Sequence, residues 1–261
     1  MKLAGQASPA YFLYRSLWEF LDWVFPPTCG GCMAMGVRWC KTCQEEISRL
    51  TENICPLCGE PQPTQEVCLA CKQEPPEYNA LRSYALFQGP MRKALHRLKY
   101  QRDIGLGEAL SNHLIELYNL NNWQVDFIVP VPLSPQRQRE RGYNQASLLG
   151  RPIAYAIQKP FRSDMLRKSR ETRTQVGLSA LERKQNVDGA FSARSNLVQG
   201  KKILVIDDVT TTGSTISACA RALREAGASA VYGLTLTRAV LQADADDQPN
   251  PFQRIGGKYG S

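Results

Sequence analysis

The chain has no apolar run of the ~18 residues that a membrane-spanning helix needs, so no transmembrane segment is expected. It has two histidines, His96 and His113. Both fall in helical patterns and read as surface or packing residues, which leaves little room for histidine-based acid–base or metal chemistry. No Gly-Lys-Ser or Gly-Lys-Thr ends a glycine-rich turn, which excludes a Walker-type phosphate loop. Acids are outnumbered, 24 against 32 Lys and Arg, and the formal charge of +8 favours an anionic partner, either nucleic acid or a polyphosphate ligand. The apolar stretch Tyr11 to Phe25 lacks a small-residue cleavage site after it, and Arg15, Glu19 and Asp22 interrupt it. Residues 1–27 are therefore expected to carry an amphipathic helix, with Leu13, Leu17, Phe20, Leu21 and Val24 on the face that packs on the body. A cytoplasmic protein is expected.

What is present begins with cysteine. Eight of the nine cysteines fall in four pairs of one spacing: Cys29/Cys32, Cys40/Cys43, Cys55/Cys58 and Cys68/Cys71. Without a secretion signal, a disulfide framework is a poor explanation. A C-x-x-C loop points two thiolates at one tetrahedral metal, and two such loops close a four-cysteine zinc site, so eight ligands predict two structural zinc ions. Pairing in sequence order is favoured, and interleaved pairing stays open. The segment is short and polar, and is expected to need its metal to fold. Cys219, alone in a helical pattern, reads as a small packing residue.

After the linker Lys72 to Glu77 the pattern alternates. Leu81–Phe87, Asp126–Val131, Lys202–Ile206 and Val231–Thr237 read as strands. Pro90–Lys99, Gly107–Leu120, Gly142–Ile157 and Ser214–Ala226 read as helices. That order predicts an α/β domain, a parallel sheet with helices on both faces. The last residues, 241–261, are rich in Asp, Gly, Pro and Asn and are expected to be disordered.

The strand from Ile203 runs into Asp207 and Asp208, then through Thr211, Thr212, Gly213, Ser214 and Thr215 into a helix. Open α/β sheets bind ligands at the carboxyl ends of their strands. A helix N-terminus there offers unpaired N–H groups to a phosphate, the hydroxyls add donors, and Gly213 permits close backbone approach. The two carboxylates suit the 2′- and 3′-hydroxyls of a ribose, with Mg²⁺ mediating part of the contact. The segment reads as a grip for a ribose 5-phosphate.

The pattern Asp207-Asp208-x-x-x-Thr212-Gly213-x-Thr215 resembles the phosphoribosyl pyrophosphate (PRPP) signature of type I phosphoribosyltransferases. The chain as a whole is similar to the ComF family of competence proteins. Leu98-Lys99-Tyr100, Val129 to Leu133 with Arg137, Arg141-Gly-Tyr-Asn-Gln145, Arg170-x-Thr172-x-x-Gln175 and Arg183-x-x-Asn186 with Ala190-Phe191 carry the likeness, which ends near Arg238. It implies a double zinc ribbon over 28–76 and a phosphoribosyltransferase-like domain over 77–240. It implies PRPP bound with Mg²⁺ by Asp207, Asp208, Thr211, Thr212, Gly213, Ser214 and Thr215, with Lys99, Arg137 and Arg141 on the pyrophosphate. The same five charged residues, Asp207, Asp208, Arg137, Arg141 and Lys99, are the candidates for catalysis. The loop after Val131 would be the pyrophosphate loop, and Lys168–Asn186, with a helix over Leu178–Lys184, a hood over the substrate. Salvage enzymes for 6-oxopurines carry an acid where Thr211 stands, so that acceptor is disfavoured. The expected activity is phosphoribosyl transfer in a DNA-uptake role. The alternative is a non-catalytic module that binds single-stranded DNA or senses PRPP among competence-machinery proteins. Any nucleic-acid surface is expected on the α/β domain, because Glu45, Glu46, Glu52, Glu60 and Glu66 balance the cations of the cysteine module.

Overall fold

A computed structural model describes residues 9–170, 182 and 186–240. In chain order its elements are α1 (Pro9–Val24), α2 (Lys41–Glu45), α3 (Leu69–Gln73), β1 (Ala80–Leu86), α4 (Gly89–Tyr100), α5 (Gly105–Asn121), β2 (Phe127–Pro130), α6 (Pro135–Arg141), α7 (Gln145–Ala156), β3 (Leu166–Lys168), β4 (Phe191–Ala193), α8 (Ser195–Val198), β5 (Lys202–Thr210), α9 (Ser214–Glu225) and β6 (Ala230–Arg238). The tail 241–261 and most of the predicted hood, with its helix over Leu178–Lys184, lie outside the described residues.

The expected parallel sheet is present, in the order β1-β6-β5-β2. Of its central strands, β5 carries the aliphatic run Ile203–Ile206 and β6 is almost wholly buried from Ala230 to Arg238, as burial on both faces requires. Alternation along β5 divides the core in two. Ile203 and Val205 join Ile216, Cys219 and Leu223 of α9 on one face. Leu204 and Ile206 join Leu98, Leu106, Leu110, Leu149 and Ile153 of α4, α5 and α7 on the other. Both edges are covered, so the sheet offers no bare ladder. The stretch Ser48–Leu50 pairs with β1 through Leu50 N–H to Tyr84 C=O at 2.9 Å and Leu86 N–H to Ser48 C=O at 2.9 Å. On the far side Ile128 exchanges main-chain bonds with Pro160 and Arg162. A separate antiparallel pair, β3 with β4, stands beside the cleft.

Three expectations shift. First, α1 turns its Leu13, Leu17, Phe20 and Val24 outward; Leu13 is 75% exposed. The face that packs carries Tyr14, against Tyr155, and Trp18, under the Arg38 guanidinium, while Arg38 also pairs with Asp22. Polar-tipped aromatics and an ion pair, rather than the aliphatic stripe, seat this helix. Second, the Arg137–Arg141 run is helical, not a loop: Ser134 caps α6 by accepting the Arg137 N–H at 3.3 Å, and Pro135 opens its first turn. Gly142, at φ +79°, ends it and separates it from α7. Third, β5 extends to Thr210, because β6 continues beside it as far as Arg238.

The second cysteine cluster is not a free appendage. Cys55, Cys58 and Cys71 belong to the core that holds Leu81 and Ile216. Leu81 N–H donates to Leu57 C=O at 2.7 Å, and Arg82 donates to Pro56 C=O at 2.9 Å. Gly59 sits at φ +70°, and a Cβ there would lie 2.6 Å from the Leu81 carbonyl oxygen, a backbone atom. Gly59→Ala is therefore expected to lower stability by roughly 1–3 kcal/mol. Thermal unfolding checks this, and an unchanged melting temperature would mean that the knuckle shifts freely on β1.

Candidate functional site

A cleft of about 1680 Å³ opens at the carboxyl ends of β2 and β5. Lys99, Arg137, Arg141, Asp207, Asp208, Thr211, Gly213, Ser214 and Thr215 all line it. Thr212 does not; its Oγ1 accepts the Ser214 N–H at 3.4 Å within the turn. Reasoning from sequence did not single out Lys168 of β3, which also lines the cleft, nor Arg238, whose guanidinium holds the phosphate loop from behind.

The two carboxylates leave β5 on opposite faces. Asp208 continues the row of Leu204 and Ile206 and meets Lys99 of α4 across an ion pair of 2.5 Å. Asp207 continues the row of Ile203 and Val205 on the α9 face, where burial pushes the Cys219 thiol well above its ordinary value. The cation that meets Asp208 comes from outside the loop, because α4 delivers Lys99 from a distant segment. Asp207 Oδ1 accepts the Asp208 N–H at 2.9 Å. Burial and the neighbouring Asp208 charge push the Asp207 carboxyl well above the usual carboxylate range. Burial pushes Asp208 the same way, but Lys99 and the hydrogen bond with Asp207 outweigh it and bring Asp208 below its ordinary value.

The loop beyond them ends in an open helix. Gly213, at φ +81°, occupies the cap position of α9, and no side chain caps it there. A Cβ at Gly213 would lie 2.7 Å from the Tyr78 hydroxyl, so glycine is required by packing as well as by conformation. Apart from the Ser214 N–H, which Thr212 Oγ1 accepts within the turn, the first N–H groups of α9 and the positive end of its dipole lie at the cleft, which Ser214, Thr215 and Ile216 line.

The opposite wall is built by Arg141-Gly-Tyr-Asn-Gln145. Arg141 Nη1 donates to Gln145 Oε1 at 2.9 Å, and its guanidinium lies 5.2 Å from the centre of the Tyr100 ring. The Tyr143 hydroxyl donates to Leu98 C=O, tying this wall to the helix that carries Lys99. Asn144 caps α7 through Ala146 N–H and donates to Val131 C=O, both at 2.9 Å. Arg137 reaches the cleft from α6; Arg139 does not line it. Of the histidines, His96 is exposed, while His113 is buried, stacks on Tyr84 at 4.6 Å, and is held neutral by burial, its pKa down to about 4.

The cysteines gather in sequence order, Cys29 with Cys32, Cys40 and Cys43, and Cys55 with Cys58, Cys68 and Cys71. Tetrahedral zinc with its usual bond to sulfur sets neighbouring sulfurs about 3.8 Å apart. Cys29 to Cys43 at 3.7 Å, Cys32 to Cys40 at 3.5 Å and Cys58 to Cys68 at 3.7 Å fit that geometry. Main-chain N–H groups of Cys40 and Cys68 point at Cys29 and Cys55 sulfur, each at 3.4 Å. Both clusters therefore fit a structural zinc ion.

Fold and site together define a phosphoribosyltransferase-type domain joined to a double zinc ribbon. Family models agree: a double zinc ribbon domain matches residues 20–72, and a phosphoribosyl transferase domain matches residues 142–248. The chain is 34% identical to the DNA utilization protein YhgH of Escherichia coli (strain K12), over 82% of this chain and 98% of that protein. It is 31% identical to the competence protein ComFC of Bacillus subtilis (strain 168), over 77% and 84%, and 30% identical to competence protein F of Haemophilus influenzae, over 77% and 90%. The chain belongs to the ComF family. Among the described residues no helix is long and apolar enough to cross a membrane.

The carboxylate pair carries a pH signature. Asp207 holds its proton more tightly in the folded chain than in the unfolded one. Its contribution is thus complete below the ordinary carboxylate pKa and is lost as pH rises through the raised value. Asp208 runs the other way, losing its contribution as pH falls. Asp207→Asn keeps an Oδ1 to accept the Asp208 N–H and removes the charge. It is expected to raise the melting temperature of the ligand-free chain at neutral pH by a few degrees, and to flatten the fall in stability above the acid range. Melting curves against pH test this; a lower melting temperature at neutral pH would contradict it.

Proposed function

We propose that the cleft binds PRPP with Mg²⁺ and transfers its phosphoribosyl group to an acceptor, in a cytoplasmic DNA-uptake role shared with competence-machinery proteins. The observation that carries this reading is the pair of carboxylates on opposite faces at the end of β5, immediately ahead of an uncapped helix, with cations on the facing wall. In this reading the N–H groups and hydroxyls of Thr211 to Thr215 take the 5-phosphate. Asp207 and Asp208 take the ribose hydroxyls. Mg²⁺, when bound, neutralises charge on the pyrophosphate and on the acids. Arg137 and Arg141 hold the pyrophosphate by bidentate contacts as the bond from ribose C1 to its oxygen breaks and the acceptor bonds to C1. Lys99, which neutralises Asp208 before ligand arrives, lies close enough to follow the charge. Positioning and electrostatics supply the catalysis, so no side chain is required as a nucleophile.

Calorimetric titration with PRPP, with and without Mg²⁺, tests the site. Asp208→Ala is expected to bind about 10- to 150-fold more weakly, the cost of losing hydrogen bonds to a charged group, while the fold persists. No heat from the wild type, or equal affinity in both proteins, removes the phosphoribosyl reading.

A second reading, a non-catalytic module for single-stranded DNA, is favoured by the mouth of the same cleft. There the exposed Arg92, Lys93 and Arg102 share a wall with Tyr100, 63% exposed and placed to stack on a base. The names of the relatives, which speak of competence and DNA utilization, support a DNA partner. Neutralising Arg137, Arg139 and Arg141 together is expected to weaken single-strand binding and to reduce the steepness of its salt dependence by up to about three phosphate contacts. Filter binding across a salt series measures both, and an affinity that is flat between low and moderate salt would rule the surface out.

A further inference from the structure

Arg238 is the largest fully enclosed side chain among the described residues, 1% exposed at the end of β6. A guanidinium in that position is costly unless its donors are met. Its Nη1 donates to Thr211 C=O at 2.7 Å and pairs with the Glu60 carboxylate, and its Nη2 donates to Cys58 C=O. Thr211 begins the phosphate loop. Cys58 is a ligand of the second cysteine cluster, and Glu60 follows two residues on. One side chain thus joins three segments far apart in sequence: the second metal knuckle, the end of a central strand and the ligand loop. Tyr78 makes a parallel link. It packs in the core that holds Cys55, Cys58 and Cys71, and its hydroxyl lies against Gly213 of the same loop. Among the described residues the first cluster has no such tie to the loop. Its main-chain contact to the α/β domain is Arg97 Nη1 to Cys29 C=O at 2.8 Å, on α4.

We propose that Arg238 is a positioning residue that couples the second zinc site to the phosphate loop. Zinc on Cys55, Cys58, Cys68 and Cys71 fixes the Cys58 carbonyl and Glu60, which hold Arg238, which in turn holds Thr211 in the shape that receives a phosphate. Linkage makes the effect reciprocal: a ligand that settles the loop must retain that zinc more tightly, and by the same factor. The nature of the ligand rests on the phosphoribosyl reading above; the coupling of knuckle to loop does not.

The test uses the full chain loaded with two zinc ions, as wild type, Arg238→Met and Arg238→Lys. Amide hydrogen exchange over residues 209–216 and zinc release to a chromophoric chelator are read without ligand. Binding of PRPP with Mg²⁺ is read separately. Arg238→Met is expected to speed loop exchange and the release of one of the two zinc ions by about tenfold or more, with the other ion unaffected, and to weaken PRPP by a similar factor. Arg238→Lys, which keeps the charge but cannot reach three acceptors, is expected to recover only part of this. In the wild type, saturating PRPP is expected to slow release of that same ion. Unchanged loop exchange and unchanged zinc release in Arg238→Met overturn the coupling. A wild type that binds no PRPP, with exchange and zinc release still altered in the variant, counts against the phosphoribosyl reading alone. If Arg238→Met does not fold, Glu60→Gln, on a 38%-exposed side chain, carries the same comparison.

Discussion

Two consecutive carboxylates at the buried end of a parallel strand cannot both remain charged without help, and much of this structure serves that constraint. The pleat of β5 resolves part of it by sending Asp207 and Asp208 to opposite faces of the sheet. Each face then treats its acid differently. On the α4 face Lys99 meets Asp208 at 2.5 Å and keeps it ionised. On the α9 face, burial and the Asp208 charge push the Asp207 carboxyl well above the usual carboxylate range. The same two faces thus push the neighbouring acids in opposite directions, Asp207 up and Asp208 down. Placing such a pair directly before an uncapped helix juxtaposes a demand for positive charge with a demand for negative charge. A sugar phosphate with a divalent cation meets both at once.

Much of this was legible from sequence because its signals are local. The C-x-x-C spacing, the apolar strand running into Asp207 and Asp208, and the Thr-Gly turn before an amphipathic helix each state their geometry within a dozen residues. The parallel sheet followed from alternating strand and helix patterns. What stayed hidden depends on tertiary context. Nothing near Lys99 in sequence indicates that it faces Asp208, because α4 is placed by the core that Leu98 shares with Leu204 and Ile206. The arginine run read as a loop, although Ser134-Pro135 is a helix start followed by a glycine stop. Its density of charge masked its capping residues. In α1 the aliphatic stripe gave the wrong face, since periodicity finds the apolar side of a helix but not whether that side is turned inward. Arg238 carried one usable signal, a lone cation closing an otherwise uncharged strand.

The site residues differ in how they are held. Asp207 and Asp208 stand on the central strand β5, which β6 flanks as far as Thr210 while β2 pairs with it only to Ile206. Arg137 and Arg141 stand on a seven-residue helix that buries none of its residues and is fixed at its ends, by Ser134 before it and by Tyr143 and Asn144 after it. The two walls of the cleft therefore differ in anchoring: the acids belong to a central strand of the sheet, and the arginines to a short helix held at its ends.

The two cysteine clusters brace these two walls separately. The first rests on α4: Arg97 donates to Cys29 C=O and Thr28 Oγ1 while pairing with Asp103, and Gly30 fits so tightly against Leu106 that a Cβ there would approach to 2.7 Å. That helix carries Lys99 and Tyr100 into the cleft. The second rests on β1 and β6, and through Arg238 it reaches Thr211 at the start of the phosphate loop. Between them Ser48–Leu50 pairs with the edge of β1, so the ribbon is stitched to the sheet by main-chain bonds as well as by side chains. Through these contacts the two cysteine clusters rest against different walls of one cleft, the first beside the helix that carries Lys99 and the second beside Thr211, so the spacing between them bears on the dimension that a ligand spanning the cleft must match.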